Sequence, residues 1–191
     1  MSFSLIPRGV YSAVTHISPK ALAEKGVRLV LADLDNTLVP YRVTEPSRAV
    51  RQWRDALAAE GIALFLLSNS RKPGRPHSFA QKLDIPCIGH AGKPKREGFF
   101  RAMERMGVTP DQTVMVGDQI FTDVLGANRS GVTPLRSSPS GWRATRGATF
   151  DTPWRPPSAC WAGGGPLYER GVSHGGSVRP GGQRHRLFPA V

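Results

Sequence analysis

An apolar run, Leu29-Val30-Leu31-Ala32, opens directly into Asp33-Leu34-Asp35-Asn36-Thr37-Leu38-Val39. It reads as a strand from Arg28 to Asp33, and its abrupt end constrains the chain more than any other feature. Residues i and i+2 on an extended chain project to the same side. Asp33 and Asp35 would then share one spot and repel each other unless a cation or a proton lies between them. A hydroxyl, Thr37, follows two positions on. The pattern suits phosphate chemistry, although Asp-x-Asp-x-Thr alone also describes a solvated strand-to-loop turn.

Up to Gly131 the chain alternates strand-like and helix-like segments with short connections, as expected of an α/β domain with a parallel sheet covered by helices. Ser18-Pro19 reads as an N-cap followed by proline in the first turn, with Gly26 closing that short helix. Thr44-Glu45-Pro46 is expected to open a helix in which Val50, Trp53 and Leu57 recur at helical spacing, and Gly61 stops it. Ile62 to Leu67 is apolar on both faces and therefore central. A weaker helix, Pro76 to Leu83, leads to a short strand near Cys87-Ile88. A helix from Arg96 to Met106 is expected to turn Phe99, Phe100, Met103 and Met106 inward. A strand, Thr113 to Val116, runs into Gly117-Asp118, and a last helix from about Thr122 ends at Gly131.

The expected division is therefore 1–131, a compact domain with a short amino-terminal lead, and 132–191, a tail. From Val132 onward 10 Gly and 8 Pro occur among 60 positions, a low-complexity composition. The tail also carries 8 Arg against 2 acids, half of the net charge of +12. Two readings stand: a basic disordered arm, which would contact nucleic acid or anionic lipid, or a reading-frame slip soon after Gly131. The overall charge favours polyanionic partners without choosing among them. The 2 cysteines, Cys87 and Cys160, have neither disulfide-framework nor zinc-ligand spacing. A cytoplasmic protein is expected, with no secretory leader and no membrane span. The amino-terminal apolar residues Phe3, Leu5, Ile6, Val10, Tyr11, Val14 and Ile17 either pack on the domain or rest on the inner face of a membrane.

In a parallel sheet the carboxyl ends of strands lie on one rim, where ligands bind. Three further segments reach that rim. Leu66-Leu67-Ser68-Asn69-Ser70 puts a hydroxyl at a strand end. Lys93-Pro94-Lys95 precedes a helix, where a lysine can balance phosphate charge beside the helix amino terminus. Gly117-Asp118 supplies another carboxylate, with Asp123 a helical turn further on. Arg71, Lys72 and Arg75 follow Ser70 as either a solvated face or substrate contacts.

Asp33-Leu34-Asp35-Asn36-Thr37, the run into Ser68-Asn69, Lys93-Pro94 and Gly117-Asp118-x-x-x-x-Asp123 resemble the four ordered motifs of the haloacid dehalogenase superfamily of phosphatases. The wording of the first and last motifs looks like the YqeG group of subclass IIIA, and the resemblance covers roughly positions 10 to 132. It implies a three-layer Rossmann-like fold without a cap domain. Members are expected to continue past the last motif with an apolar strand and a helix. Val132-Thr133-Pro134-Leu135 is the only strand-like remnant here, which leaves open an incomplete carboxyl end.

By position the resemblance implies that Asp33 is the nucleophile forming an aspartyl-phosphate, and that Asp35 is the general acid and then base. Magnesium would be held by Asp33, Asp118 and the backbone carbonyl of Asp35. Ser68 and Lys93 would stabilise the transferring phosphoryl group. Thr37, Asn69 and Asp123 would support, with Asn69 ordering its loop and Asp123 either aiding the metal site or capping the last helix. The intervals Thr37 to Ile62 and Ser68 to Lys93 are too short for an extra domain, so the site should be open. It then suits a phosphate protruding from something larger. The YqeG group is similar to phosphatidylglycerophosphate phosphatases, which makes a lipid head group the leading expected substrate. Nucleotides, sugar phosphates or nucleic-acid ends are the alternative, as is an inactive basic binding protein.

Overall fold

The computed structural model describes residues 4–137 apart from Arg71 and Pro73. The composition-based expectations for 138–191, the incidental Trp142, Trp154 and Trp161 among them, lie outside the described residues, as do those for Phe3 and Arg71.

Six parallel strands form one sheet in the order β1-β6-β5-β2-β3-β4. They are β1 (Gly9–Tyr11), β2 (Leu29–Ala32), β3 (Ala63–Leu67), β4 (Cys87–Ile88), β5 (Thr113–Gly117) and β6 (Thr133–Ser137). The run that opens the first motif is β2, flanked by β3 and β5, which is why all four of its residues are buried. Five α-helices cover the faces: α1 (Pro19–Ala23), α2 (Arg48–Ala59), α3 (Arg75–Leu83), α4 (Glu97–Met106) and α5 (Leu125–Ser130).

Strand alternation sorts the core into two slabs. Val30, Leu64, Leu66, Val114 and Val116 pack against Val50, Trp53 and Leu57 of α2 and against Phe79 and Leu83 of α3. Leu29, Leu31, Phe65, Leu67 and Met115 pack against Phe99 and Met103 of α4 and Ala127 of α5. This is the three-layer Rossmann-like arrangement, and the connections leaving β2 and β3 at the rim carry no cap domain.

Local chemistry sets the helix ends. Ser18 Oγ accepts from Ala21 N at 3.3 Å, with Pro19 in the first turn as expected. α2 starts later than Thr44: its cap is Ser47, whose Oγ accepts from Val50 N at 3.2 Å, and Pro46 lies buried ahead of it. The last helix is also divided. Ile120–Val124 forms a π-helical turn before α5 begins, and Gly131 ends α5 at φ +73°.

Two strands lie outside the expected pattern. β6 pairs with β5 on one side and β1 on the other, so the sheet continues past the boundary drawn at 131. The Val132-to-Leu135 remnant is the start of an integral strand: Leu135 is 1% exposed in the core. The amino-terminal segment packs on the domain, with Val14 and Ile17 buried and Trp53 Nε1 donating to the Ile17 carbonyl at 2.9 Å. Ile6 and Val10 face outward. Phe100 also differs from expectation, lying exposed on α4 under the Arg96 guanidinium, and Met106 is only partly buried. Among the described residues no helix is long and apolar enough to cross a membrane.

Candidate active site

β2 ends at Ala32, and Asp33 N donates to the Val116 carbonyl at 2.9 Å, which fixes the first carboxylate between β2 and β5. The chain then turns. Asn36 adopts φ +61° and its N–H donates to the Val39 carbonyl at 2.8 Å, while Leu34, Leu38 and Val39 are buried as anchors. The turn separates the two acids that an extended chain would have brought to one spot. Asp33 points into the rim, 6% exposed, whereas Asp35 is turned toward α3.

Asp33, Asp118 and Asp123 each bring a carboxylate oxygen within 4.8 Å of the others. Asp118 follows β5 directly. Asp123 comes back from the π-helical turn, where its N–H donates to the Gln119 carbonyl at 2.9 Å and its Oδ2 accepts from Gln119 N at 3.1 Å. Gly117 makes that return possible: a Cβ there would lie 2.2 Å from Asp123 Oδ2. Asp123 therefore closes its own turn and also faces the acid cluster.

Lys93 supplies the counter-charge. Its Nζ donates to Asp33 Oδ1 at 2.7 Å and lies 2.7 Å from Asp123 Oδ1 in an ion pair. It is 5% exposed, while Lys95, the other lysine of the motif, faces solvent. Asn69 holds the lysine loop by both ends of its amide: Nδ2 donates to the Lys93 carbonyl at 2.8 Å and Oδ1 accepts from Lys93 N at 2.9 Å. Ser68, at the end of β3, is 1% exposed, and its Oγ accepts from Ser70 N at 3.0 Å. The Thr37 hydroxyl is buried without a hydrogen-bond partner.

The electrostatics follow from burying three acids and one cation together. Burial pushes the Asp33 carboxyl above its ordinary range; Lys93 pulls it down and Asp123 pushes it further up, and the net direction is up. Burial disfavours the Lys93 ammonium, but the Asp123 and Asp33 carboxylates outweigh it and raise its pKa, so it stays charged. Asp118 is pushed up to about 6, first by burial and then by Asp33 and Asp123. Its Oδ1 is buried without a hydrogen-bond partner. An orphaned carboxylate oxygen beside two more carboxylates is what a hard, oxygen-seeking divalent cation requires. The residues present fit such an ion.

Asp35 stands apart from this cluster. Its Oδ1 accepts from Arg75 Nε at 3.1 Å and Nη2 at 2.7 Å, and Arg75 Nη1 donates to the Val43 carbonyl at 3.0 Å. The carboxylate of Asp35 is thus not one of the gathered oxygens, and Asp123 takes that place. Arg75 had no fixed role in the sequence because nothing local ties it to a motif 40 residues earlier. Its position in the first turn of α3, on the same rim as β2, was the one available clue.

A parallel α/β sheet with an acid cluster and a buried lysine at its carboxyl rim has the place and the charges for handling a phosphate-bearing ligand. The haloacid dehalogenase-like hydrolase family matches residues 48–131. "Probable phosphatase YqeG" of Bacillus subtilis is 35% identical over 138 residues, covering 70% of this chain and 80% of the relative. The chain belongs to the haloacid dehalogenase-like hydrolases, within the phosphatase group that includes YqeG. The chloroplastic phosphatidylglycerophosphate phosphatase 1 of Chlamydomonas reinhardtii is 29% identical over 134 residues, 66% of this chain and 50% of that protein. Among solved structures, the cobalt-bound deoxy-D-mannose-octulosonate 8-phosphate phosphatase of Haemophilus influenzae shares the fold. The match has a TM-score of 0.51 at 18% identity and covers 60% of this chain and 70% of that one.

Proposed function

We propose that this phosphatase hydrolyses phosphomonoesters through a covalent aspartyl-phosphate on Asp33, with phosphatidylglycerophosphate as its leading substrate. The observation that carries the reading is the meeting of Asp33 and the orphaned Asp118 oxygen beside Asp123 and Lys93, on the rim where β2 and β5 end. A carboxylate oxygen of Asp33 attacks phosphorus, and the bond from phosphorus to the alcohol oxygen breaks. Asp35 gives the leaving oxygen a proton. Water then attacks the same phosphorus, passes a proton to Asp35, and releases inorganic phosphate and the Asp33 carboxylate. Lys93 and Ser68 hold the equatorial oxygens, where charge builds in transfer. Arg75 positions Asp35 by gripping a single oxygen, Oδ1.

Asp33 and Asp118, with the backbone carbonyl of Asp35, would hold magnesium, with Asp123 as a supporting carboxylate. When bound, the ion supplies charge neutralisation at the phosphoryl oxygens. The lipid substrate is supported by the similarity to the Chlamydomonas enzyme and by a rim that no cap domain covers.

The test is turnover of a generic aryl phosphate with magnesium, with EDTA, and in Asp33→Asn. Loss of several orders of magnitude is expected in the last two cases. Undiminished turnover in Asp33→Asn would remove the nucleophile assignment. Phosphatidylglycerophosphate in mixed micelles, run beside nucleotides and sugar phosphates, then ranks the substrates.

A further inference from the structure

On the α3 side, where Arg75 holds Asp35, lies a cavity of about 260 Å³ lined by Tyr41, Arg42, Thr44, Lys72, Arg75, Ser78 and the ring of Phe79. That is below the roughly 300 Å³ at which pockets for drug-sized molecules begin, so it suits one small group. Three of these residues are cationic and none is acidic. Lys72 Nζ sits 4.3 Å from the centroid of the Tyr41 ring and Arg75 Cζ 5.9 Å from it, so the ring supports both charges. Arg75 is neutralised by Asp35. Among the described residues, Arg42 and Lys72 are paired with no carboxylate. The cavity therefore holds two uncompensated positive charges with the hydroxyl-bearing side chains of Tyr41, Thr44 and Ser78, a donor set that suits a phosphate.

Arg75 joins this cavity to the chemistry. Arg75 lines the cavity, and the same side chain grips Asp35. An anion in the cavity would thus share Arg75 with the carboxylate proposed to serve the leaving alcohol. We propose that the cavity is a second-anion subsite that binds a phosphate carried by the alcohol portion of the substrate, not the phosphate being cleaved. The inference rests on the phosphomonoesterase reading above, because Asp35 is what orients the alcohol. The substrate class is then a molecule with two phosphates, one a terminal monoester. A lipid head group with an internal phosphodiester and a soluble bisphosphate share that chemistry.

The experiment uses the full chain and an Arg42→Gln/Lys72→Gln double variant. Substrates are glycerol 3-phosphate, the deacylated head group glycerophosphoglycerol phosphate, a soluble sugar bisphosphate, and the diacyl lipid in micelles. The wild type should favour a two-phosphate substrate over glycerol 3-phosphate by about tenfold or more in kcat/KM, and the double variant should lose that ratio. The larger ratio, head group or sugar bisphosphate, names the source. Preference for the micellar lipid alone, with the soluble head group no better than glycerol 3-phosphate, overturns the subsite. Calorimetric binding of the preferred soluble compound to Asp33→Asn, with and without the two Gln substitutions, gives a readout independent of turnover. Binding about tenfold weaker in the triple variant is expected, and equal binding refutes the subsite. If Asp33-dependent turnover stands while ratio and binding ignore Arg42 and Lys72, the subsite falls and the phosphatase reading survives. If no substrate is turned over while binding still depends on those two residues, the phosphatase reading falls instead.

Discussion

Replacing Lys93 with methionine would remove a cation that pairs with two buried carboxylates. Asp33 is 6% exposed and Asp123 1%, and each has an oxygen 2.7 Å from Nζ. Methionine matches the stem of lysine in length, so packing loss should be small and the effect electrostatic. Removing one partner of a buried pair typically costs about 3–5 kcal/mol, because the remaining charge is stranded away from water. Against a domain stability of roughly 5–15 kcal/mol, Lys93→Met should remain folded but weakly so. The stranded acids would escape by binding protons. The folded pKa of Asp33, already raised by burial, would rise further once Lys93 no longer pulls it down, so the folded state holds extra protons and stability falls as pH rises. Urea unfolding followed by far-UV circular dichroism, in EDTA at pH 5 and pH 7, measures this. The expected loss is larger at pH 7, and adding Asp123→Asn should recover a substantial part of it, the sign of direct coupling. A loss under about 1 kcal/mol, or the same loss in the Asp123→Asn background, would refute the claim that Lys93 neutralises this cluster.

Asp118, at about 6, should make divalent-ion binding weaken about tenfold for each pH unit below that value, since proton and metal compete for one carboxylate. Titration calorimetry from pH 5 to 8 checks it, and Asp118→Asn should abolish the tight binding. For stability the sign is opposite: the folded pKa lies above the unfolded one, so this group's contribution declines as pH rises from about 4 to 6. Asp118→Asn should therefore stabilise the metal-free chain at pH 7, by about 1 kcal/mol after allowing for its partial exposure. Gly117→Ala drives a methyl against Asp123 Oδ2 and should cost about 1–3 kcal/mol with loss of metal affinity, read by thermal melting with and without magnesium. Leu135→Ala should cost about 2–5 kcal/mol in urea unfolding if β6 is integral to the sheet, and almost nothing if it is dispensable.

The strands that carry the motifs were legible because each is an unbroken apolar run ended by polar residues, as at Leu29–Ala32 and Ala63–Leu67. β6 was hidden by Pro134 and Arg136, which break such a run. The proline is tolerated because its carbonyl accepts from Arg8 N at 2.8 Å, so its donor-less nitrogen faces β1, whose pairing begins only at Gly9 and Leu135. β1 was hidden by its length of 3 residues. Of the site, Asp33, Ser68, Asn69, Lys93, Asp118 and Asp123 all reach the rim from strand ends and their loops, which spacing along the chain can convey. The parting of Asp33 from Asp35 depends on the strand ending at Ala32, with Leu34 between the two acids already in a turn. An i, i+2 rule for extended chains cannot anticipate a turn that begins one residue too soon.

Among the described residues, β1 pairs in the sheet with β6 alone, the last of the described strands in chain order. During synthesis β1 precedes β6 by more than a hundred residues and must wait for it before that pairing can form. Loop closure over that span is slow relative to the local βα units. The lead segment is thus expected to latch last, sealing a domain whose chemical residues have already come together.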